Sequence, residues 1–229
     1  MTTQIKICGM NSPEAVDAAV EAGATHIGFV HFEKSPRHVD LRTATELRRR
    51  LPKTVKAVLV QVNMQPEPIA RAIETIEPDV VQFHGQETPE WMKLVREAAE
   101  LETWRAVGLR EKESLERARQ FEGACDRLLF DSPAKALPGG NGTAFPWGIL
   151  EGWEPFMPWA LAGGLTPSNV RQAVEDVRPP LVDVVTGVEL EPGRKSLHLI
   201  RAFCEAVQHA DAKLAEAGDT LVLKPSQAS

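Results

Sequence analysis

Apolar and polar positions along this chain fall into two alternating patterns, short β-branched runs and longer stretches with helical spacing. Most of the short runs are apolar throughout, as expected for parallel strands that are covered on both faces. They predict eight strands, at residues 4–8, 26–30, 55–62, 79–83, 103–107, 127–131, 159–163 and 182–186. The spacing between them predicts helices at 12–23, 42–51, 66–76, 88–100, 113–121, 166–177 and 196–210, with at most a short helix near 147–152.

Helix starts carry the residues that begin helices in proteins. Ser12 precedes Pro13, and Thr88 precedes Pro89, so each hydroxyl can cap a helix whose first position is proline. Eight strand–helix units in 1–210 give roughly 26 residues per unit, which favours a single-domain α/β fold, a (βα)8 barrel. The alternative is an open doubly wound sheet, which more often shows a G-x-G-x-x-G turn after its first strand. Residues 211–229 lie outside the count and are expected to extend the last helix and then fray.

Composition and charge limit the partners and the cellular location that are expected for this chain. Hydrophobic residues make up 43% of the chain and charged residues 25%, with 26 basic against 32 acidic side chains and a net charge of −6. This balance favours neither a nucleic-acid partner nor a membrane, and no apolar run approaches the length of a membrane span. Three widely spaced cysteines and no secretory signal predict a reduced, cytoplasmic protein.

The first strand ends on a cysteine, with a glycine directly behind it. If Ile5 and Ile7 pack outward against helices, Lys6 and Cys8 point into the barrel, and Cys8 lies at its mouth. Active sites of such barrels lie at the carboxyl ends of the strands. Cys8 is therefore either a small buried apolar residue or a functional thiol, and Gly9 leaves room beside it.

Other strand ends also carry candidate chemistry. Asp131 ends strand six and is either a helix cap, a turn former or a general acid. Gly140 and Gly142 lie in the following loop, which is either a flexible surface segment or a lid that approaches a ligand. Arg37 after strand two could pair with a carboxylate, and His84 after strand four is a structural histidine, an acid or base, or a ligand.

Small residues follow the last two strands. Gly163 and Gly164 precede a helix after strand seven, and Thr186 and Gly187 follow strand eight. Neighbouring turns of this kind at strands seven and eight are typical of the phosphate site of these barrels, although tight turns without a ligand would look similar. The strand ends show no cluster of His, Asp and Glu typical of a metal site.

Taken together, these motifs resemble phosphoribosylanthranilate isomerase, a family of tryptophan biosynthesis. They run in family order over residues 4 to about 205: KICG (6–9), GATHIGFV (23–30), KSPRHV (34–39), VVQFHG (80–85), LLFD (128–131), GGNGTAFPW (139–147), LAGGLTPSNV (161–170) and TGVELEPGRK (186–195). The chain departs from the family pattern at Thr186, where serine is common, at GMN after Cys8, and at Phe83.

The resemblance implies a cofactor-independent and metal-independent Amadori rearrangement of N-(5-phospho-β-D-ribosyl)anthranilate to 1-(2-carboxyphenylamino)-1-deoxy-D-ribulose 5-phosphate. It implies that Cys8 is the general base and Asp131 the general acid, and that Arg37 binds the anthranilate carboxylate. It matches the phosphate to Gly163, Gly164, Thr186 and Gly187, with His84, Gly140 and Gly142 as further substrate-binding candidates. For Cys8 to act near pH 7, a lowered pKa is expected, with Lys6 as the cause. The family allows monomers and homodimers.

Several alternatives remain at the level of sequence. The first alternative is a related histidine-pathway sugar isomerase. That family carries two aspartates, one of them at the end of strand one, and this chain has Cys8 at that position. Indole-glycerol-phosphate synthase would need a catalytic lysine and glutamate at strand ends. Two hypotheses come from other functional classes. One is a barrel that only binds a phosphorylated ligand or a protein partner, and the other is a thiol-redox role for Cys8.

Overall fold

The structure is a computed structural model that describes residues 2–133 and 146–222. Eight parallel strands form a closed barrel in chain order, with the last strand pairing with the first. The strands are β1 Gln4–Cys8, β2 His26–Val30, β3 Lys56–Gln61, β4 Val80–Phe83, β5 Glu102–Gly108, β6 Arg127–Asp131, β7 Trp159–Leu161 and β8 Leu181–Val184. All eight predicted strands are present. The closed barrel confirms the predicted fold and rules out the open doubly wound sheet.

Within residues 2–133 and 146–222, seven α-helices surround the barrel: α1 Pro13–Glu21, α2 Leu41–Arg48, α3 Pro66–Ile76, α4 Pro89–Ala99, α5 Glu113–Ala118, α6 Val170–Val177 and α7 Leu197–Val222. Short 3-10 helices lie at Arg119–Phe121, Trp147–Leu150 and Thr186–Val188. The predicted caps are confirmed, because the side chain of Ser12 accepts a hydrogen bond from the Ala15 N–H and that of Thr88 from the Trp91 N–H. These caps place α1 and α4 directly after the strand-end loops.

Several boundaries differ from the predicted ranges, two of them beside the site, and one element was not predicted. Helix α6 begins at Val170 and not at 166, because the Asn169 side chain accepts from the Thr166 N–H and donates to the Gly164 carbonyl, which holds residues 164–169 in a turn. Strand β8 ends at Val184, and Thr186 already belongs to a 3-10 helix. An antiparallel hairpin, β9 Glu189–Glu191 with β10 Arg194–Lys195, follows and was not predicted.

The alternation along β1 separates two apolar cores. Ile5 and Ile7 belong to the core between the barrel and its helices. Cys8 belongs to a second core inside the barrel, together with residues such as Val58 and Trp104. The prediction that Lys6 and Cys8 face inward is therefore confirmed, and the strand delivers the thiol to the barrel mouth.

Candidate active site

A pocket opens at the carboxyl ends of the strands, around the end of β1. Among the predicted site residues, Cys8, Arg37, His84, Asp131, Gly163, Gly164 and Thr186 all line it. Gly187 lies in the adjacent turn, and Gly140 and Gly142 lie outside the described residues. Residues that are up to 178 positions apart in sequence therefore converge on one site, as the barrel topology requires.

The Cys8 thiol is packed tightly at the bottom of this pocket. Its side chain is 3% exposed, and it is a free cysteine. Gly28 on the neighbouring strand makes the room, because a β-carbon at that position would lie 2.6 Å from Cys8 Sγ. Gly9 turns the chain away from the strand with φ of +74°, and its N–H donates to the Gly28 carbonyl. The glycine behind the cysteine thus turns the backbone, and the space for sulfur comes from the next strand.

The electrostatics of Cys8 correct one expectation. Burial raises the pKa of the thiol above its ordinary value, and this outweighs the opposing effect of Lys6. Lys6 and Asp183 are register partners on β1 and β8, and their buried side chains form an ion pair of 2.9 Å between Nζ and Oδ1. The charge of Lys6 is therefore largely balanced by Asp183, which itself raises the pKa of Cys8. Lys6 lowers the thiol pKa as expected, but the net pKa of Cys8 lies above its ordinary value because burial dominates.

The two carboxylate oxygens of Asp131 have different partners: Oδ1 accepts hydrogen bonds from Ser132, and Oδ2 faces His84. Its Oδ1 accepts from the Ser132 N–H at 2.7 Å and from the Ser132 hydroxyl at 3.2 Å. Its Oδ2 lies 3.5 Å from His84 Nε2. The other ring nitrogen of His84 lies 3.1 Å from the Gln82 amide nitrogen. Ser132 and His84 thus orient the carboxyl group from two sides, and Oδ2 is the oxygen that accepts no hydrogen bond from Ser132.

The Arg37 side chain is held in place by an ion pair and is not free in solvent. Its guanidinium forms a bidentate ion pair with Glu189, with both hydrogen bonds at 2.8 Å, and the residue is 9% exposed. Glu189 also accepts from Lys195 Nζ at 3.0 Å, and Lys195 donates to the Val185 carbonyl. Arg37 therefore lies at the pocket wall in an orientation set by this chain's own carboxylate.

The two predicted phosphate turns are in direct contact. A β-carbon on Gly187 would lie 1.9 Å from the Leu165 carbonyl oxygen, so only glycine lets the turn after β8 approach the turn after β7 this closely. Gly163 and Gly164 both have positive φ and line the pocket beside Thr186. The result is a single small-residue rim formed by two neighbouring strand ends.

Sequence reasoning missed four polar residues of the site, and it could have found one of them. A lysine that points into a barrel requires a counter-charge, and Asp183 is the acidic inward residue of the neighbouring strand. Gln82 lies on β4, two positions before its partner His84, but it carries no charge that would require a partner. Glu189 and Lys195 had no such signal, because their contacts are set by hairpin geometry.

Two features are not found in the described part of the chain. Within residues 2–133 and 146–222, no three His, Cys, Asp or Glu side chains are grouped as metal ligands. Over the same residues, no helix has both the length and the apolar character needed to cross a bilayer.

Comparisons with known proteins show the family to which the chain belongs. Residues 5–206 match the family model described as N-(5'phosphoribosyl)anthranilate (PRA) isomerase. An N-(5'-phosphoribosyl)anthranilate isomerase from Erythrobacter litoralis is 58% identical over 208 residues, covering 91% of this chain and 100% of the relative. One from Rhodospirillum centenum is 44% identical over 207 residues, covering 89% and 97%.

Solved structures show the same similarity. The crystal structure of phosphoribosyl anthranilate isomerase from Thermotoga maritima is 34% identical, with a TM-score of 0.82, covering 91% of this chain and 100% of that one. A further phosphoribosyl anthranilate isomerase structure, in complex with reduced 1-(o-carboxyphenylamino)-1-deoxyribulose 5-phosphate, is 32% identical with a TM-score of 0.81 and the same coverage. Because the family model spans most of the chain and full-length relatives reach this identity, the chain belongs to the phosphoribosylanthranilate isomerase family, enzymes of tryptophan biosynthesis.

Proposed function

We propose that this enzyme converts N-(5-phospho-β-D-ribosyl)anthranilate to 1-(2-carboxyphenylamino)-1-deoxy-D-ribulose 5-phosphate, with Cys8 as general base and Asp131 as general acid. The observation that carries the proposal is that a thiol and a carboxyl group open onto the same pocket as the glycine rim. A ligand of a related structure has the carboxyphenylamino, ribulose and phosphate parts of this product.

Asp131 acts first. Its Oδ2 holds the transferable proton, because Oδ1 is engaged by Ser132. Transfer of that proton to the furanose ring oxygen breaks the C1′–O bond, and the nitrogen lone pair forms the C1′=N⁺ iminium. His84 Nε2, 3.5 Å from Oδ2, orients the carboxyl group and can donate a hydrogen bond to the carboxylate that is left after transfer.

Cys8 then removes the proton from C2′, which the adjacent iminium acidifies. The electron pair of the C–H bond neutralises the nitrogen and leaves an enolamine. The proton held by Cys8 is then delivered to C1′ and the enol hydroxyl proton returns to Asp131, which gives the ketone and restores both enzyme groups with no net gain of protons. Forming the thiolate is costly because burial raises the pKa of Cys8, and the cationic iminium of the substrate supplies a compensating charge.

Substrate binding divides among the remaining residues. Arg37 faces the anthranilate carboxylate, and the rim of Gly163, Gly164, Thr186 and Gly187 receives the phosphate through backbone N–H groups and the Thr186 hydroxyl. His84, Gly140 and Gly142 are proposed as further substrate-binding residues. The 1–210 barrel is proposed as the complete catalytic domain.

The test is the loss of anthranilate-type fluorescence when the purified protein meets freshly made phosphoribosylanthranilate, with EDTA present. We expect fast turnover by the wild type, and a fall in kcat of about 100- to 10,000-fold in Cys8→Ala and in Asp131→Asn. Cys125→Ala is the matched control, because Cys125 is also a buried free thiol but does not line the pocket.

Each outcome has a defined meaning. Loss in one variant only would keep the reaction and reopen the role of the other residue. A folded wild type without turnover would overturn the reaction and favour a barrel that only binds a phosphorylated ligand. Inhibition by EDTA would overturn the metal-independent mechanism.

Two further parts of the proposal concern the whole protein. We propose a reducing, cytoplasmic location, which the three free thiols support. We propose that this chain is a monomer or a homodimer; the related Thermotoga maritima enzyme is dimeric and has been converted to monomers.

A further inference from the structure

Glu189 occupies a buried position between two basic side chains. Its side chain is 3% exposed, with Arg37 on one side and Lys195 on the other. Both carboxylate oxygens accept a hydrogen bond from Arg37, and Oε1 also accepts one from Lys195. Although burial opposes ionisation, Arg37 and Lys195 lower the pKa of Glu189, so it is a carboxylate at neutral pH.

Glu189 occupies only one pair of N–H donors on the Arg37 guanidinium, and a second pair remains. A guanidinium has five N–H donors in one plane. Glu189 uses Nε–H and one hydrogen of Nη2, and no described residue accepts a hydrogen bond from Nη1. The edge formed by Nη1 and Nη2 therefore presents two parallel donors, which is the arrangement that binds a second carboxylate bidentately.

The unpredicted β9–β10 hairpin holds this arrangement in place. Gly193 at its turn packs against the Pro36 carbonyl, where a β-carbon would lie 2.4 Å away, and Asn11 donates to the Gly193 carbonyl at 2.7 Å. On the opposite side, a β-carbon on Gly9 would lie 2.7 Å from Arg37 Cδ. The arginine is therefore confined between the loop after β1 and the hairpin.

We propose that Glu189, anchored by Lys195, is the positioning residue that aims the free edge of Arg37 at the substrate carboxylate and so sets the enzyme's preference for a carboxylate-bearing aglycone. This inference rests on the proposed role of Arg37. Glutamine cannot replace glutamate here, because its amide NH₂ would face an N–H donor of the guanidinium. Loss of the carboxylate therefore turns the free edge away from the substrate.

The test compares two substrates, phosphoribosylanthranilate and the N-(5-phosphoribosyl)aniline that lacks the carboxylate. Product is measured by chromatographic separation of aldose and ketose for wild type, Glu189→Gln, Glu189→Asp and Glu191→Gln. Glu191 is the matched control, because it lies on the same hairpin with an exposed ion pair to Arg194. Thermal melting followed by circular dichroism confirms that each variant is folded.

We expect the wild type to prefer the carboxylate substrate. In Glu189→Gln, KM for phosphoribosylanthranilate rises about 10- to 100-fold with a smaller change in kcat, while kcat/KM for the aniline substrate stays the same. Glu189→Asp keeps the charge and restores part of the preference, and Glu191→Gln matches the wild type.

Other results overturn the inference. Equal losses on both substrates would assign Glu189 a purely structural role, and an unchanged preference would show that Arg37 does not depend on it. A wild type that turns over both substrates equally would remove the role of Arg37 and this inference with it. No turnover by the wild type is a separate failure, that of the proposed reaction.

Discussion

Replacing Lys6 by methionine removes one partner of an ion pair that lies inside the barrel. The side chains of Lys6 and Asp183 are 0% and 4% exposed, and the charged atoms are 2.9 Å apart. Methionine has a similar length and no charge, so the change isolates the loss of the ammonium group. Asp183 is left buried without its hydrogen-bond donor.

The magnitude follows from charge and burial. Two unit charges at this distance attract by about 6 kcal/mol at an effective dielectric constant of 20. Part of that attraction offsets the cost of desolvating the two groups in the intact pair. Removal of one partner leaves the other uncompensated, so we expect the free energy of unfolding to fall by about 3–5 kcal/mol.

Urea denaturation followed by tryptophan fluorescence measures this loss. Lys56→Met is the matched control, because the Lys56–Glu102 pair has side chains 49% and 24% exposed and is expected to contribute less than about 1 kcal/mol. The double variant Lys6→Met/Asp183→Asn should be less destabilised than the sum of its single variants by roughly 2 kcal/mol or more. A loss below 1 kcal/mol in Lys6→Met, or strict additivity in the double variant, would refute the reasoning.

Three further predictions concern pH and packing. Because Lys6 opposes the raised pKa of Cys8, Lys6→Met should move the rising limb of the kcat/KM–pH profile to higher pH, and an unmoved limb contradicts this coupling. Burial, followed by the charges of nearby basic groups, lowers the pKa of His26 from 6.5 to about 3, so the unfolded state binds a proton that the folded state does not. Stability should therefore fall as pH falls below 6.5, by about 2 kcal/mol between pH 7 and pH 5, and an equal fall in His26→Gln would show another origin. Gly28→Ala should reduce kcat by about 10- to 100-fold by displacing the Cys8 sulfur, and steady-state rates with a normal kcat would show that the site relaxes without cost.

The sequence predicted the fold because its determinants are local and repeated. Most strands of the barrel are short apolar runs, and caps such as Ser12 and Thr88 mark helix starts within a few residues. Closed parallel topology then brings all strand ends to one rim, so the sequence alone predicted that Cys8 and Asp131 share one site. The prediction failed at residues 164–169, where hydrogen bonds of the Asn169 side chain form a turn and move the helix start to a later residue.

By itself, therefore, the sequence determined the barrel, its strand order and the strand-end residues that face the pocket. Tertiary structure alone decided their electrostatics and orientation. Lys6 meets Asp183 across 177 positions and Arg37 meets Glu189 across 152, in pairs that exist only once the barrel and the hairpin have closed. Burial raises the pKa of Cys8 for the same reason, since the desolvation of one thiol depends on every element packed around it and not on its neighbours in the chain.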